Sequence, residues 1–261
     1  MKLCRFELLE DPGSLRSGLY YDNRVYETQG LEAAGVHEPG TIRLYPPLGP
    51  CPSLRFFDIA IDNQGQKMLH YSYGNAATLY GPNAQYTLPE EQVEWDFEVR
   101  VVAATSDKGA QIGQDEAPKF ILGYSIMLVL IAADQAERES QLGLPPAASR
   151  DTAIFFGPFV VTADELADTA AREAETHYIW RYEIKVNDET VARGSNDAGF
   201  GTAQMLELAS RRAEVVPGEL FAFPPLEKQP LDLTALGRGL VPEDKITCTI
   251  EGLGTLVARF A

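Results

Sequence analysis

Two acids one residue apart, Asp96 and Glu98 in "VEWDFEVRVV", are the first residues whose types and spacing could do chemistry. On a strand, residues i and i+2 project to the same side. Such a pair can share a hard cation, which takes several oxygen ligands. It can also share a proton, because two close carboxylates beside apolar walls do not both ionise easily and one pKa should rise. The same parity puts Glu94 and Arg100 on that side. A face reading Glu-Asp-Glu-Arg is equally what a solvated or salt-bridged surface looks like, and spacing alone leaves both readings open. Arg150, ahead of "FFGPFVV", is a second candidate. Arginine does not serve as a readily deprotonated base, but it clamps a carboxylate in a bidentate fork. His70 in "MLHYSYGNAA" is a third, and it reads equally well as a half-buried strand histidine; His37 and His177 have no partner in view.

The elements that must position these residues are mostly strands. "VEWDFEVRVVAAT" (93–105) predicts a strand whose second half is apolar throughout, as in a strand covered on both faces. "FILGYSIMLVLIAADQ" (120–135) holds about 14 apolar residues, short of the roughly 20 a spanning helix needs. Ile126, Val129 and Ile131 favour a buried strand running into a helix near 132–142. Residues 150–162 are strand-like. Thr162 and Glu165 have capping-box spacing, which predicts a helix over 163–177. A hairpin is expected over 178–194 with its turn at Asn187-Asp188, and a helix over 202–214 with Thr202 as N-cap. A closing hairpin turns through Gly252-Leu253-Gly254. Residues 1–60 carry short apolar runs with turns at Asp11-Pro12-Gly13 and Pro46-Pro47. The class is mostly β, of α+β type, with three helices.

Composition narrows the function. Thirty-eight acidic residues against 22 basic ones, a formal charge of −16, argue against nucleic-acid binding, which needs a positive surface. The start "MKLCRFELLEDPG" has neither an apolar core nor a small-residue cleavage site, so no secretory signal is expected there, and no membrane segment. Cys4, Cys51 and Cys248 are odd in number, widely spaced and without metal-type spacing; a cytoplasmic protein with reduced thiols is the simplest expectation.

Several segments resemble the fumarylacetoacetate hydrolase family: "PEDKITCTIEGLGTLVARF" (242–260), "FFGPFVVTADEL" (155–166), "YEIKVNDETVARGS", "VVPGELFAF" and "YGNAATLYGPNAQYTLP". They lie in collinear order over roughly residues 70–260. The resemblance implies a mixed β-sandwich or β-roll C-terminal domain over 69–261, a small β-rich N-terminal region over 1–68, and a homodimer. It also implies a divalent ion, Mg²⁺, Mn²⁺ or Ca²⁺, held by an acidic-x-Glu pair and a third Asp, which polarises a 1,3-dicarbonyl or 2-oxo acid.

Asp96 and Glu98 match the pair, but the third ligand does not survive. "GYSIMLVLIAAD" lies over the family's "GYTVANDVSARD", so Leu128 and Val129 stand where Asn and the metal-binding Asp would be, and Asp134 fits the final Asp. The family's Lys ahead of "GPW" has no match, Arg150 being the nearest cation, and "TGTP" has become "AFPP". No tightly held metal is expected; Mg²⁺ or Ca²⁺ would bind only if the site is retained, with Asp96 and Glu98 as its ligands. The resemblance then implies a catalytic set of Asp96, Glu98, Arg150 and His70, beside a pocket lined by Leu128, Val129, Phe223, Tyr73 and Asp134. The reading is an enzyme acting without a metal on an enolisable, polyketide-like oxo compound by cyclisation, isomerisation, dehydration or decarboxylation. A divalent-metal hydrolase, decarboxylase or hydratase and a non-catalytic binding or partner subunit remain as alternatives.

Overall fold

The computed structural model describes residues 1–30, 32–89, 94–167, 172–174, 177–196, 199–227 and 238–261. The strands before the central pair are β1 (Lys2–Leu8), β2 (Asp11–Tyr21), β3 (Arg24–Gln29), β4 (Glu32–His37), β5 (Ile42–Tyr45), β6 (Leu54–Ile61), β7 (Lys67–Gly74), β8 (Leu79–Tyr80) and β9 (Gln85–Tyr86). Then come β10 (Trp95–Thr105), β11 (Ile121–Ala132), α1 (Ala133–Gln141), β12 (Ile154–Thr162), α2 (Ala163–Ala167), β13 (Arg172–Ala174) and β14 (His177–Tyr178). The chain closes with β15 (Trp180–Val186), β16 (Glu189–Asn196), α3 (Thr202–Ser210), β17 (Leu220–Ala222), β18 (Lys245–Ile250) and β19 (Gly254–Phe260).

A large sheet runs β4-β3-β2-β1-β12-β11-β10-β17-β6-β7, with β5 on β1 and β8 on β12; a second runs β16-β15-β18-β19-β9. Its longest pairing is β10 with β11, from Trp95↔Ala132 to Thr105↔Ile121. Both strands are buried along nearly their whole length, and alternate residues feed opposite faces. Phe97, Val99, Val101, Ile126, Leu128 and Leu130 enter the core shared with Ile184, Cys248, Leu256 and Phe260 of the second sheet. Val102, Ala104, Met127, Val129 and Ile131 enter a second cluster on the other face, with Leu54, Phe56, Ile154 and Phe156; Ala136 of α1 packs against it. Each fully buried Leu, Ile or Phe contributes about 1.5–3 kcal/mol, so the apolar run 120–133 is explained as a core strand. Gly123 lets β11 and β12 close: a Cβ there would sit 2.3 Å from the carbonyl oxygen of Val161.

Three expectations need correction. The helix over 163–177 ends early: α2 stops at Ala167, and the described residues beyond it form β13 and β14; residues 168–171 and 175–176 lie outside the described ones. The N-cap of α3 is Gly201, whose N–H donates to the Gln204 side chain, while Thr202 is spent on the Tyr124 hydroxyl at 2.9 Å. Asp11-Pro12-Gly13 opens β2, and the turn is at Leu9-Glu10. The boundary expected at 68/69 lies along β7, and β1 hydrogen-bonds to β12 in the large sheet. Among the described residues no helix is long and apolar enough to cross a membrane.

Candidate active site

Glu98 sits mid-strand on β10, directly opposite Val129 of β11. Its carboxylate is buried and both oxygens are taken: Arg100 Nε donates at 2.7 Å and Arg150 Nη2 at 2.9 Å. The same two guanidiniums converge on Asp58 of β6, Arg100 through Nη2 at 2.8 Å and Arg150 through Nη1 at 2.9 Å. Glu98, Arg100, Asp58 and Arg150 therefore form a closed ring of alternating charge. Arg100 is wholly buried, and its remaining Nη1 donates to the carbonyls of Phe57 and Phe223 at 3.1 and 2.9 Å. Both guanidinium carbons lie 5.2 Å from the centre of the Phe56 ring.

Local structure explains the placement. β10 puts Glu98 and Arg100 on one face by parity. β17 ends at Ala222, beside Val102, so Arg100 reaches past its end toward β6 and finds the free carbonyl of Phe223. Arg150 ends a single 3₁₀ turn, Ala148–Arg150, that Glu139 of α1 ties down. The Glu139 carboxylate accepts from the N–H groups of Ala147 (3.1 Å) and Ala148 (2.8 Å) and from the Ser149 hydroxyl (2.5 Å).

The electrostatics reverse the expectation of a raised carboxyl pKa. Burial pushes Glu98 up, but the charges of Arg100 and Arg150 and their hydrogen bonds outweigh it and hold the group below the usual carboxylate range. Asp58 shows the same balance and lies at about 2. Both are ionised at neutral pH, with their lone pairs engaged by guanidinium donors. Glu98 is thus not a proton-exchanging group; it positions Arg150. The reading of the Glu-Asp-Glu-Arg face as solvated also fails at Asp96, Glu98 and Arg100, all buried, whereas the salt-bridged reading holds for Glu98 and Arg100.

The other predicted residues disperse. Asp96 is buried on the ring's face, and its Oδ1 accepts from the Phe97 N–H at 2.7 Å. His70 of β7 is exposed and stands opposite Asp58, so it shares the ring's side of the sheet. Val129 lies on that side too, beside Glu98, but Leu128 points into the opposite core. Phe223 packs with Tyr124 and Trp180 in that same core, contributing only its carbonyl to the ring. Tyr73 is exposed on the side opposite His70, over the Arg55 guanidinium at 5.6 Å. Asp134 is half-exposed on α1, 3.7 Å from Arg138. The expected pocket wall of Leu128, Val129, Phe223, Tyr73 and Asp134 is thus split across two faces and a helix. Sequence reasoning missed Asp58 and Arg100 as site residues. Their signals were present: Asp58 is the acid inside the apolar run "LRFFDIAI", and Arg100 shares the parity of Glu98.

Residues 59–261 match the model of the fumarylacetoacetate hydrolase C-terminal family. The chain belongs to this family. It is 27% identical over 191 residues to the human mitochondrial oxaloacetate tautomerase FAHD2A, covering 70% of this chain and 56% of that one. It is 27% identical over 172 residues to the oxaloacetate tautomerase YisK of Bacillus subtilis, covering 63% and 51%. The chain thus spans about half the length of these curated relatives. Among solved structures, a 5-carboxymethyl-2-hydroxymuconate delta-isomerase from Mycobacterium smegmatis aligns with TM-score 0.78 at 16% identity, over 100% of this chain and 98% of that one. A maleylpyruvate hydrolase from Sphingobium sp. SYK-6, in complex with manganese(II) and pyruvate, aligns with TM-score 0.74 at 16% identity, over 100% and 99%. At these identities the structural likeness shows the fold.

The residues present do not fit a divalent ion of the family type. Val129 offers no donor atom where the third carboxylate would stand, and both oxygens of Glu98 already face guanidinium nitrogens. An ion entering there would have to displace a buried arginine from two carboxylates at once.

Proposed function

We propose that this family member carries out keto–enol chemistry on a small enolisable oxo acid without a bound metal ion. One observation carries the reading: positive charge in the site comes from Arg100 and Arg150, fixed at 2.7–2.9 Å between Glu98 and Asp58. Arg100 is sealed, so Arg150 is the cation that can meet a ligand. Its Nε is buried without a hydrogen-bond partner, a donor that an oxo or carboxylate oxygen entering beside it would satisfy. His70, opposite Asp58 and exposed, is the proton carrier. It takes the proton from the carbon beside the carbonyl; the electron pair moves to the carbonyl oxygen, held by Arg150; the imidazolium then returns the proton to that oxygen. Glu98 and Asp58 hold Arg150 in its orientation. The names of the tautomerase relatives support oxaloacetate as the substrate to try first.

The test is oxaloacetate tautomerisation by the purified chain, with excess chelator and with added Mn²⁺. Turnover that survives chelation, falls with Arg150→Met and drops by about 10²–10⁴-fold with His70→Gln is the expected result. Activity that appears only with Mn²⁺ refutes it. A second reading, a binding or partner subunit without turnover, is favoured by the completeness of the ring, in which every oxygen of Glu98 and Asp58 already has a guanidinium partner. No turnover under either condition selects that reading.

A further inference from the structure

We infer that the chain has replaced a divalent-cation centre, charge for charge, by its own side chains, and that removing Arg150 uncovers a cation site. Three features carry this. First, the two guanidiniums supply two positive charges on the face, and at the strand position, where the pair Asp96 and Glu98 would hold an ion. Second, Asp58 supplies from β6 the carboxylate that Val129 no longer supplies from β11; it binds both arginines, as a third ligand would bind the ion they replace. Third, the ring is anchored on all sides. Arg100 is fixed by two backbone carbonyls and Arg150 by the turn that Glu139 holds, so neither can swing out to admit an ion. The exchange of charge holds whether or not the chain turns over an oxo acid.

Arg150 is the removable half. It bridges Glu98 Oε1 and Asp58 Oδ2 at 2.9 Å each. Without it, a buried carboxylate oxygen of Glu98 and a partly buried one of Asp58 face the vacated space, with only Arg100 left to compensate them. Such a site takes any small cation of suitable shape: an oxygen-seeking divalent ion or a free guanidinium. Restoring an acid at 129, on the same face and opposite Glu98, adds a ligand for the metal and nothing for the planar guanidinium.

The experiment measures the thermal midpoints of the wild type, Arg150→Ala and Arg150→Ala/Val129→Asp with Mn²⁺ or methylguanidinium. The wild type is expected to respond to neither. Arg150→Ala is expected to rise by roughly 5 °C or more with either cation at about 100 times its dissociation constant, and the two are expected to compete in calorimetric titration. The double variant is expected to bind Mn²⁺ at least tenfold more tightly than Arg150→Ala, without gaining affinity for methylguanidinium. Wild type that binds Mn²⁺ as tightly as the variants overturns the inference. So does a folded Arg150→Ala that ignores both cations. Should Arg150→Ala not fold in plain buffer, circular dichroism after refolding with each cation decides: recovery with both supports the inference, and recovery with neither, while Arg150→Lys folds, overturns it.

Discussion

Glu98→Gln tests the ring most directly. The substitution keeps the shape of the side chain and removes its charge. Both its oxygens accept from guanidinium groups, at 2.7 and 2.9 Å, and Arg100 has no exposed surface. After the change Asp58 alone faces two arginines, and one positive charge is left buried and uncompensated. Breaking a buried ion pair by removing one partner costs about 3–5 kcal/mol, a large share of the roughly 5–15 kcal/mol that holds a typical domain. At about 2–4 °C per kcal/mol for a chain near this size, the midpoint should fall by roughly 6–20 °C in calorimetry. The double variant Glu98→Gln/Arg150→Met removes the surplus charge as well and should recover part of the loss. Its coupling energy, from urea denaturation of the full cycle, should fall within about 0.5–3 kcal/mol. A Glu98→Gln protein within about 0.5 kcal/mol of the wild type, as an exposed ion pair would give, refutes the buried ring. So do single losses that add without coupling.

The acid limb of stability should depend on Asp58. Its pKa lies at about 2 in the folded chain against 3.8 ordinarily, which corresponds to about 2 kcal/mol. Because the folded value is the lower one, this contribution is fully present above the unfolded pKa and is lost as pH falls from about 5 toward 2. Stability of Asp58→Asn measured against pH should therefore be lower at pH 7 and flatter below pH 5; an unchanged acid limb would contradict the assignment. Glu139→Ala frees the turn that aims Arg150, leaving four donors of residues 147–149 without their carboxylate. It should cost about 1–3 kcal/mol and speed amide exchange at Ala148; unchanged exchange there would show that the turn holds itself.

The class, the central strands and the two ends of the candidate site were legible along the chain. Period-2 parity placed Asp96, Glu98 and Arg100 on one side of β10, and the unbroken apolar character of residues 126–131 marked a strand buried on both faces. Collinear segments carried the family, and Val129, which the resemblance aligns with the lost ligand, stands opposite Glu98. Other features lay beyond sequence because they depend on elements far apart along the chain. Position 58 meets position 98 only because β17 is short enough for Arg100 to reach across its end. Arg150 joins them only because Glu139 bends the turn before it. Leu128 and Val129 are neighbours in sequence and strangers in the fold, since adjacent strand residues point to opposite faces. A carboxylate's partners are set by distance in space, so the sequence determined which charges exist, and tertiary structure alone decided that Glu98 is a held anion and not a shared-proton acid.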